Sequence, residues 1–285
     1  LPEGGGVSRS RRATVVGVDE EDVDEVLGVI SGLSGVTLTG LHVYAGTQCL
    51  NEQALAANLI NIVAAYALAL LAVGLRPAHL LCESALGIPY HDRDRPIELE
   101  EVAASAGPAL SEISETVAEW GGSLALEMGR YLVGRAGCFL TRVVGIKETR
   151  GSRILALDGG MNHHLAASGN LGGVIKRNYP IHNLTRGDPA EEALEYDLAG
   201  PLCTNVDTLG RAARLPDTRV GDVLAVGSSG AYGLTASPLH FISHRPPVEV
   251  LFASDEDMDP IDITSEGTIA RPIPFPPRAS ESQTP

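Results

Sequence analysis

Between Asp19 and Glu127 the chain alternates stretches with helical spacing and short apolar runs of strand length, and this alternation narrows the possible folds most. Asp19 to Leu33 reads as an acidic amphipathic helix and Val36 to Tyr44 as a strand rich in β-branched residues. An Ala-rich helix follows, then a strand near His79 to Cys82, a helix from about Glu98 to Trp120, and a strand at Ser123 to Glu127. Strands separated by helices of this length cannot pair as hairpins, so they build βα units and a parallel sheet or barrel. Ala54 to Leu75 carries no charged side chain and is long enough to cross a bilayer. Asn58, Asn61 and Tyr66 interrupt it, Asn51 and Glu52 suit a helix start, and Gly74 and Pro77 suit its end, so a buried helix is the expectation.

After Arg130 the texture changes to short strands broken by turn residues, among them Cys138 to Lys147, Arg153 to Asp158, Asp222 to Val226 and Glu249 to Phe252. This half reads as an antiparallel β domain. The 32 glycines and 18 prolines fit such a turn-rich half. The expected organisation is α/β followed by all-β: a partial (β/α) unit over 1–132, a β domain over 133–252, and a disordered acidic, Pro- and Ser-rich tail over 253–285.

A formal net charge of -15 argues against nucleic acid or an anionic membrane as partner, since both need a basic surface. An anionic cofactor would need a local basic or amide-rich pocket. Cys49, Cys82, Cys138 and Cys203 are scattered without a CxxC pair, which points to no disulfide framework, no zinc site, and a reducing cytoplasm. Adjacent His163 and His164 would point to opposite faces of a strand and could not share a metal, so no metal is expected. Glu127 and Arg130 flank Gly129 just after a strand, where barrel enzymes place their sites, although an ordinary ion pair would look the same. Cys203 ends the turn Gly200-Pro201-Leu202-Cys203.

Five segments occur in one order: Gly40-Leu41-His42-Val43-Tyr44-Ala45-Gly46-Thr47-Gln48, Leu86-Gly87-Ile88-Pro89-Tyr90, Glu127-Met128-Gly129-Arg130, Gly200-Pro201-Leu202-Cys203 and Gly230-Ala231-Tyr232. In them the chain resembles the fold-type III, pyridoxal-phosphate (PLP) dependent decarboxylases of ornithine, arginine or diaminopimelate. His163-His164-Leu165-Ala166-Ala167-Ser168-Gly169-Asn170 and Lys176-Arg177-Asn178-Tyr179-Pro180 are similar to the branch linked to exosortase systems and to carrier-protein-tethered amino acids. The resemblance implies the C-terminal part of an alanine-racemase-like barrel before the β domain. It also implies a PLP-dependent carboxy-lyase acting in biosynthesis on an amino acid or an aminoacyl carrier protein, as a homodimer with shared sites. Residue by residue, Glu127 matches the carboxylate on the pyridine nitrogen, and Arg130 and Tyr232 match phosphate ligands. Gly46, Thr47 and Gly129 lie in phosphate-side loops, Tyr44 falls where many members stack a histidine on the ring, and His42 is close by. Cys203 matches the thiol that reaches into the partner's site and reprotonates the carbanion, with Thr204 and Asp207 on the substrate side.

Three departures stand out. Thr204 replaces the acidic residue that grips a distal amine, which disfavours a diamine product. Glu83-Ser84-Ala85 replaces the family's phosphate-binding triple glycine, so side chains are expected to crowd a dianion and lower cofactor affinity. The only lysines, Lys147 and Lys176, lie outside any segment matching the Schiff-base lysine, which belongs to the family's first barrel strand, ahead of Leu1. A fragment of a longer enzyme and a natural truncated relative both account for this. Two functional readings follow: a decarboxylase completed by an N-terminal part, or a non-catalytic relative that dimerises with or regulates an active enzyme. A PLP carrier or racemase would share the fold without explaining Gly200 to Cys203.

Overall fold

A computed structural model describes residues 17–264, apart from 45, 73, 75, 77, 92, 172–175, 188–192 and 253–258. The first 16 residues and most of the expected tail therefore lie outside the described residues. The chain forms two compact units, Leu1–Pro238 and Leu239–Pro285.

The first unit opens with α1 (Val23–Ser31), β1 (Gly40–Tyr44), α2 (Glu52–Ala72), β2 (His79–Glu83), α3 (Leu99–Glu119), β3 (Ser123–Glu127) and the short α4 (Gly129–Val133). The strands pair in parallel in the order β1-β2-β3. Asn51 caps α2, its side-chain oxygen accepting the Ala54 amide at 2.8 Å. Leu55, Ala56, Leu59 and Val63, which share one helix face, are buried in one cluster with Cys82, Leu86, Val102 and Ala106. That burial holds the uncharged helix in the core, and no described helix is long and apolar enough to cross a membrane. The strand expected from Val36 begins only at Gly40, and Val36 is 54% exposed. A residue with no partner strand and no core neighbour gains nothing from extending the ladder.

The same unit continues with β4 (Phe139–Thr149), β5 (Ser152–Leu157), β6 (Ile181–Asn183), β7 (Leu194–Ala199), β8 (Thr208–Leu215) and β9 (Val223–Val226). They form one sheet in the order β6-β9-β4-β5-β7-β8. All neighbours are antiparallel except β5 and β7, which run parallel, so the sheet is mixed rather than wholly antiparallel. Val143, Leu155, Leu157, Leu198, Leu209, Leu215, Leu224 and Val226 fill its core.

The second unit contains β10 (Val250–Leu251), paired antiparallel with β11 (Ile261–Asp262). A short strand thus stands within the stretch expected to be an unstructured tail. The Glu249 amide donates to Thr264 Oγ1 at 2.9 Å and closes this ribbon.

Candidate active site

Parallel register brings Tyr44, Glu83 and Glu127 abreast at the ends of three adjacent strands, and period-2 alternation turns them to one face. The segments leaving those strands are stitched together. The Cys49 amide donates to Ala85 O at 2.9 Å and the Gly87 amide to Cys49 O at 3.0 Å. From the β domain, the Ser229 amide donates to Gly137 O and the Gly230 amide to Gly134 O, both at 2.9 Å, which sets the turn bearing Tyr232 over α4. The result is a cleft of about 250 Å³ lined by Thr47, Glu83, Ser84, Ala85, Leu86, Glu127, Met128, Gly129, Arg130 and Tyr232.

Arg130 dominates one end. Its guanidinium lies 4.7 Å from the centroid of Tyr232 and 5.7 Å from that of Tyr90, within cation–π range of both. Arg130 Nη1 donates to Gln48 Oε1 at 3.1 Å. Gln48 is itself held, donating to Ile88 O at 2.5 Å and accepting the Ile88 amide at 3.2 Å. Arg130 Nε is buried without a hydrogen-bond partner, an unusual state for a cation that donates five hydrogen bonds. Behind Tyr90 stands Tyr179, their ring centroids 4.6 Å apart, and burial pushes both hydroxyls above the usual tyrosine range.

At the strand face, His42 Nε2 and Glu127 Oε2 are 2.8 Å apart, each side chain about half exposed (49% and 50%). Glu127 and Arg130 therefore do not pair with each other: the carboxylate goes to His42 and the guanidinium to Gln48 and the aromatic rings. Among the replaced glycines, Ser84 is buried with its hydroxyl donating to Glu127 O at 2.9 Å, while Glu83 places a second carboxylate on the cleft. Ala85 adopts φ of 60°, a left-handed conformation that costs a residue with a Cβ about 1–2 kcal/mol. Ala85→Gly should therefore leave the urea midpoint unchanged or raise stability by up to about 1 kcal/mol, where an ordinary Ala→Gly change lowers it.

Other sequence-derived residues lie elsewhere. Tyr44, His42 and Gly46 flank the cleft without lining it. Cys203 is exposed on the turn between β7 and β8, with Thr204 beside it. Asp207, placed on the substrate side by resemblance, is buried: its carboxylate accepts the Met161 amide at 2.6 Å and the Leu202 amide at 2.8 Å. A Cβ on Gly160 or Gly200 would fall 2.4 or 2.3 Å from that carboxylate, so both glycines are needed for the backbone to close around it. Asp207 in this chain shapes the Cys203 turn. Asp207→Ala should cost about 3 kcal/mol in a urea melt, by leaving buried amides without an acceptor, and should loosen the turn.

His163 and His164 sit in a turn rather than a strand, and no described group of three or more His, Cys, Asp or Glu could hold a metal ion. All four thiols are free, with Cys49 and Cys82 buried. Burial, then the Glu83 and Glu127 charges, push the Cys82 thiol up to about 11. Lys147 and Lys176, the chain's two lysines, do not line the cleft. Gln48, Tyr90 and Tyr179 were not singled out from sequence as site residues. Their only signal was membership of the quoted segments, since an amide or a phenol acquires a role only through what packs on it.

A parallel βα sheet joined to a mixed β sheet, with a cleft at the strand ends between them, defines the fold-type III decarboxylase architecture. Residues 24–230 match the pyridoxal-dependent decarboxylases in their C-terminal sheet domain, and the chain belongs to that family. It is 32% identical over 256 residues to L-glutamyl-[BtrI acyl-carrier protein] decarboxylase of Niallia circulans, covering 87% of this chain and 56% of that protein. It is 26% identical to the probable chloroplastic diaminopimelate decarboxylase of Oryza sativa subsp. japonica, covering 85% and 47%. The crystal structure of diaminopimelate decarboxylase from M. jannaschii in co-complex with L-lysine aligns with a TM-score of 0.70 at 26% identity, covering 83% of this chain and 52% of that one. The chain thus spans about half the length of the relatives it matches.

Proposed function

We propose that this chain forms the phosphate-binding and ring-binding side of a cytoplasmic, PLP-dependent amino-acid decarboxylase. The observation that carries the reading is one cleft with an unpaired, buried Arg130 Nε at one end and the Glu127–His42 pair towards the other. PLP, when bound, supplies the electron sink for the pair left behind as a carboxylate departs as CO2. Arg130 and Tyr232 bind the phosphate, with Thr47 and the backbone at Gly46 and Gly129 closing around it. Glu127 holds a proton at the pyridine nitrogen, and His42 orients that carboxylate. Tyr44 stacks on the ring. Cys203 works in a homodimer with shared sites, delivering a proton to the α-carbon in the partner's cleft, with Thr204 beside the substrate and Asp207 setting the turn. The substrate is an amino acid without a second amine to grip, including an aminoacyl group on a carrier protein.

A second reading, a non-catalytic relative that associates with an active decarboxylase, draws on Glu83 in the cleft and on neither lysine lining it. Titrating the purified chain with PLP and with pyridoxal, followed by quenching of protein fluorescence, separates the two. The decarboxylase reading expects saturable PLP binding and at least about tenfold weaker binding of pyridoxal, the minimum for losing one charge-assisted contact. Equal affinity for the two, or no saturation below about 1 mM, a free energy near 4 kcal/mol, would leave the second reading standing.

A further inference from the structure

We infer that a basic surface centred on Asn178 docks an acidic carrier protein that delivers the substrate to the cleft; the inference rests on the decarboxylase reading above. The chain has 36 acidic against 21 basic side chains, so a concentration of positive charge needs a reason. Asn178 gathers three segments. Its side chain donates to Arg211 O at 2.7 Å and accepts the Arg211 amide at 2.9 Å, and its carbonyl lies 2.8 Å from His91 Nδ1. Arg177, the residue before it, lies 3.7 Å from Asp94. Arg177 and Arg211 are thereby brought against the segment that carries Arg93 and Arg95, with Lys176 one residue before Arg177, and all five side chains are exposed. Two described carboxylates bond within this group, Asp94 with Arg177 and Asp197 Oδ1 with the Ala212 amide at 3.0 Å, and both count against the cations. Among the described residues tied together here, five cations stand against two carboxylates, in a chain whose formal net charge is -15.

Position gives this face its meaning. Tyr179, next to Asn178, packs on Tyr90, which faces the Arg130 guanidinium at the cleft. On the other side Lys176 Nζ donates to Asn170 Oδ1 at 2.7 Å, and Asn170 Nδ2 donates to Val206 O at 3.0 Å, in the loop that carries Cys203. The basic surface therefore runs between the cleft and the proton-donor turn. An extended polyanion would meet the chain's overall negative field. A small acidic helical carrier covers only a local patch, and its phosphodiester-linked arm reaches past the docking face. The carrier-linked substrate in the name of the N. circulans relative is of this class.

The test uses the whole chain and the triple variant Arg95→Glu, Lys176→Glu, Arg211→Glu, none of which lines the cleft. The probe is the BtrI acyl-carrier protein, titrated by fluorescence anisotropy at low and high salt. Wild type should bind it reversibly and more weakly at high salt, and the variant should lose at least about tenfold in affinity. Both proteins should melt at the same temperature and bind PLP within about twofold of each other, so a failed docking face is distinguishable from a failed decarboxylase site. Equal carrier affinity in variant and wild type would overturn the inference, as would no carrier binding by a wild-type chain that binds PLP. It would also be overturned by a variant that alters only self-association in sedimentation velocity, or by duplex DNA binding as tightly as the carrier.

Discussion

Arg130→Met is expected to weaken PLP binding by about a hundredfold while the chain stays folded. The guanidinium is the only cation lining the cleft among the described residues, and its Nε is buried with a hydrogen unspent. Charge-assisted hydrogen bonds contribute about 1.5–3 kcal/mol each, so losing one corresponds to roughly ten- to a hundred-and-fiftyfold. Methionine keeps apolar volume against Tyr90 and Tyr232, and circular dichroism checks that the fold survives. Glu83→Gln should move the other way, strengthening PLP binding by about tenfold, because it removes a like charge from a site that must accept a dianion. The two changes read one balance from opposite sides. Unchanged PLP affinity in Arg130→Met would show that the phosphate is held elsewhere.

The second large effect is a dependence of stability on pH that traces to one residue. His164 is fully buried, and burial pushes its pKa down to about 4. Its ring bonds leave no room for a second proton. The Ala167 amide donates to Nδ1 at 3.2 Å, so Nε2 carries the hydrogen and donates to Ser229 Oγ at 2.9 Å, and Ser229 passes its own hydrogen to Val226 O at 2.7 Å. In the unfolded chain the same imidazole titrates near about 6.5. Between about pH 6.5 and 4 the unfolded state holds a proton that the folded state refuses. The stabilisation is therefore complete above that window and is lost as pH falls through it, at about 1.4 kcal/mol per unit and roughly 3 kcal/mol in all. Urea melts of wild type and His164→Gln at pH 7.5 and 5.0 isolate this contribution from the other titrating groups. Wild type should lose about 2 kcal/mol more than the variant over that interval, and equal losses would assign the pH dependence to other groups.

The elements legible in the sequence are those with a strong period and little need of a partner. The helices Val23–Ser31, Glu52–Ala72 and Leu99–Glu119 and the strands His79–Glu83 and Ser123–Glu127 fall within a few residues of where the pattern puts them. Ile181–Asn183, Leu194–Ala199 and Thr208–Leu215 were not foreseen as strands. Leu194–Ala199 alternates Glu195, Asp197 and Ala199 with the buried Tyr196 and Leu198, but six residues with two acids look like a loop. Thr208–Leu215 contains two arginines, a glycine, and Ala212 at φ of 45°. These segments are strands because neighbours supply the ladder and a hydrophobic face, which is why β propensity reads poorly from isolated segments.

The candidate site divides in the same way. Glu127, Gly129, Arg130 and Thr47 sit in segments whose order along the chain already points to one chemistry, and strand-end position places them at one rim. The link between Arg130 and Gln48, the stacking of Tyr90 on Tyr179 and the bond between His42 and Glu127 join residues 82, 89 and 85 positions apart. So the sequence by itself settled the helices and strands of the βα half and which ionisable groups reach their strand ends, because helix period, strand length and turn chemistry act over a few residues. Tertiary structure alone decided how those groups share partners: that Glu127 binds His42 rather than Arg130, that Asp207 is spent on backbone amides, and that Asn178 ties the segments of His91 and Arg211 together. Hydrogen bonds and ion pairs form where folding brings donors and acceptors within about 3 Å, and no local pattern in the chain encodes that distance.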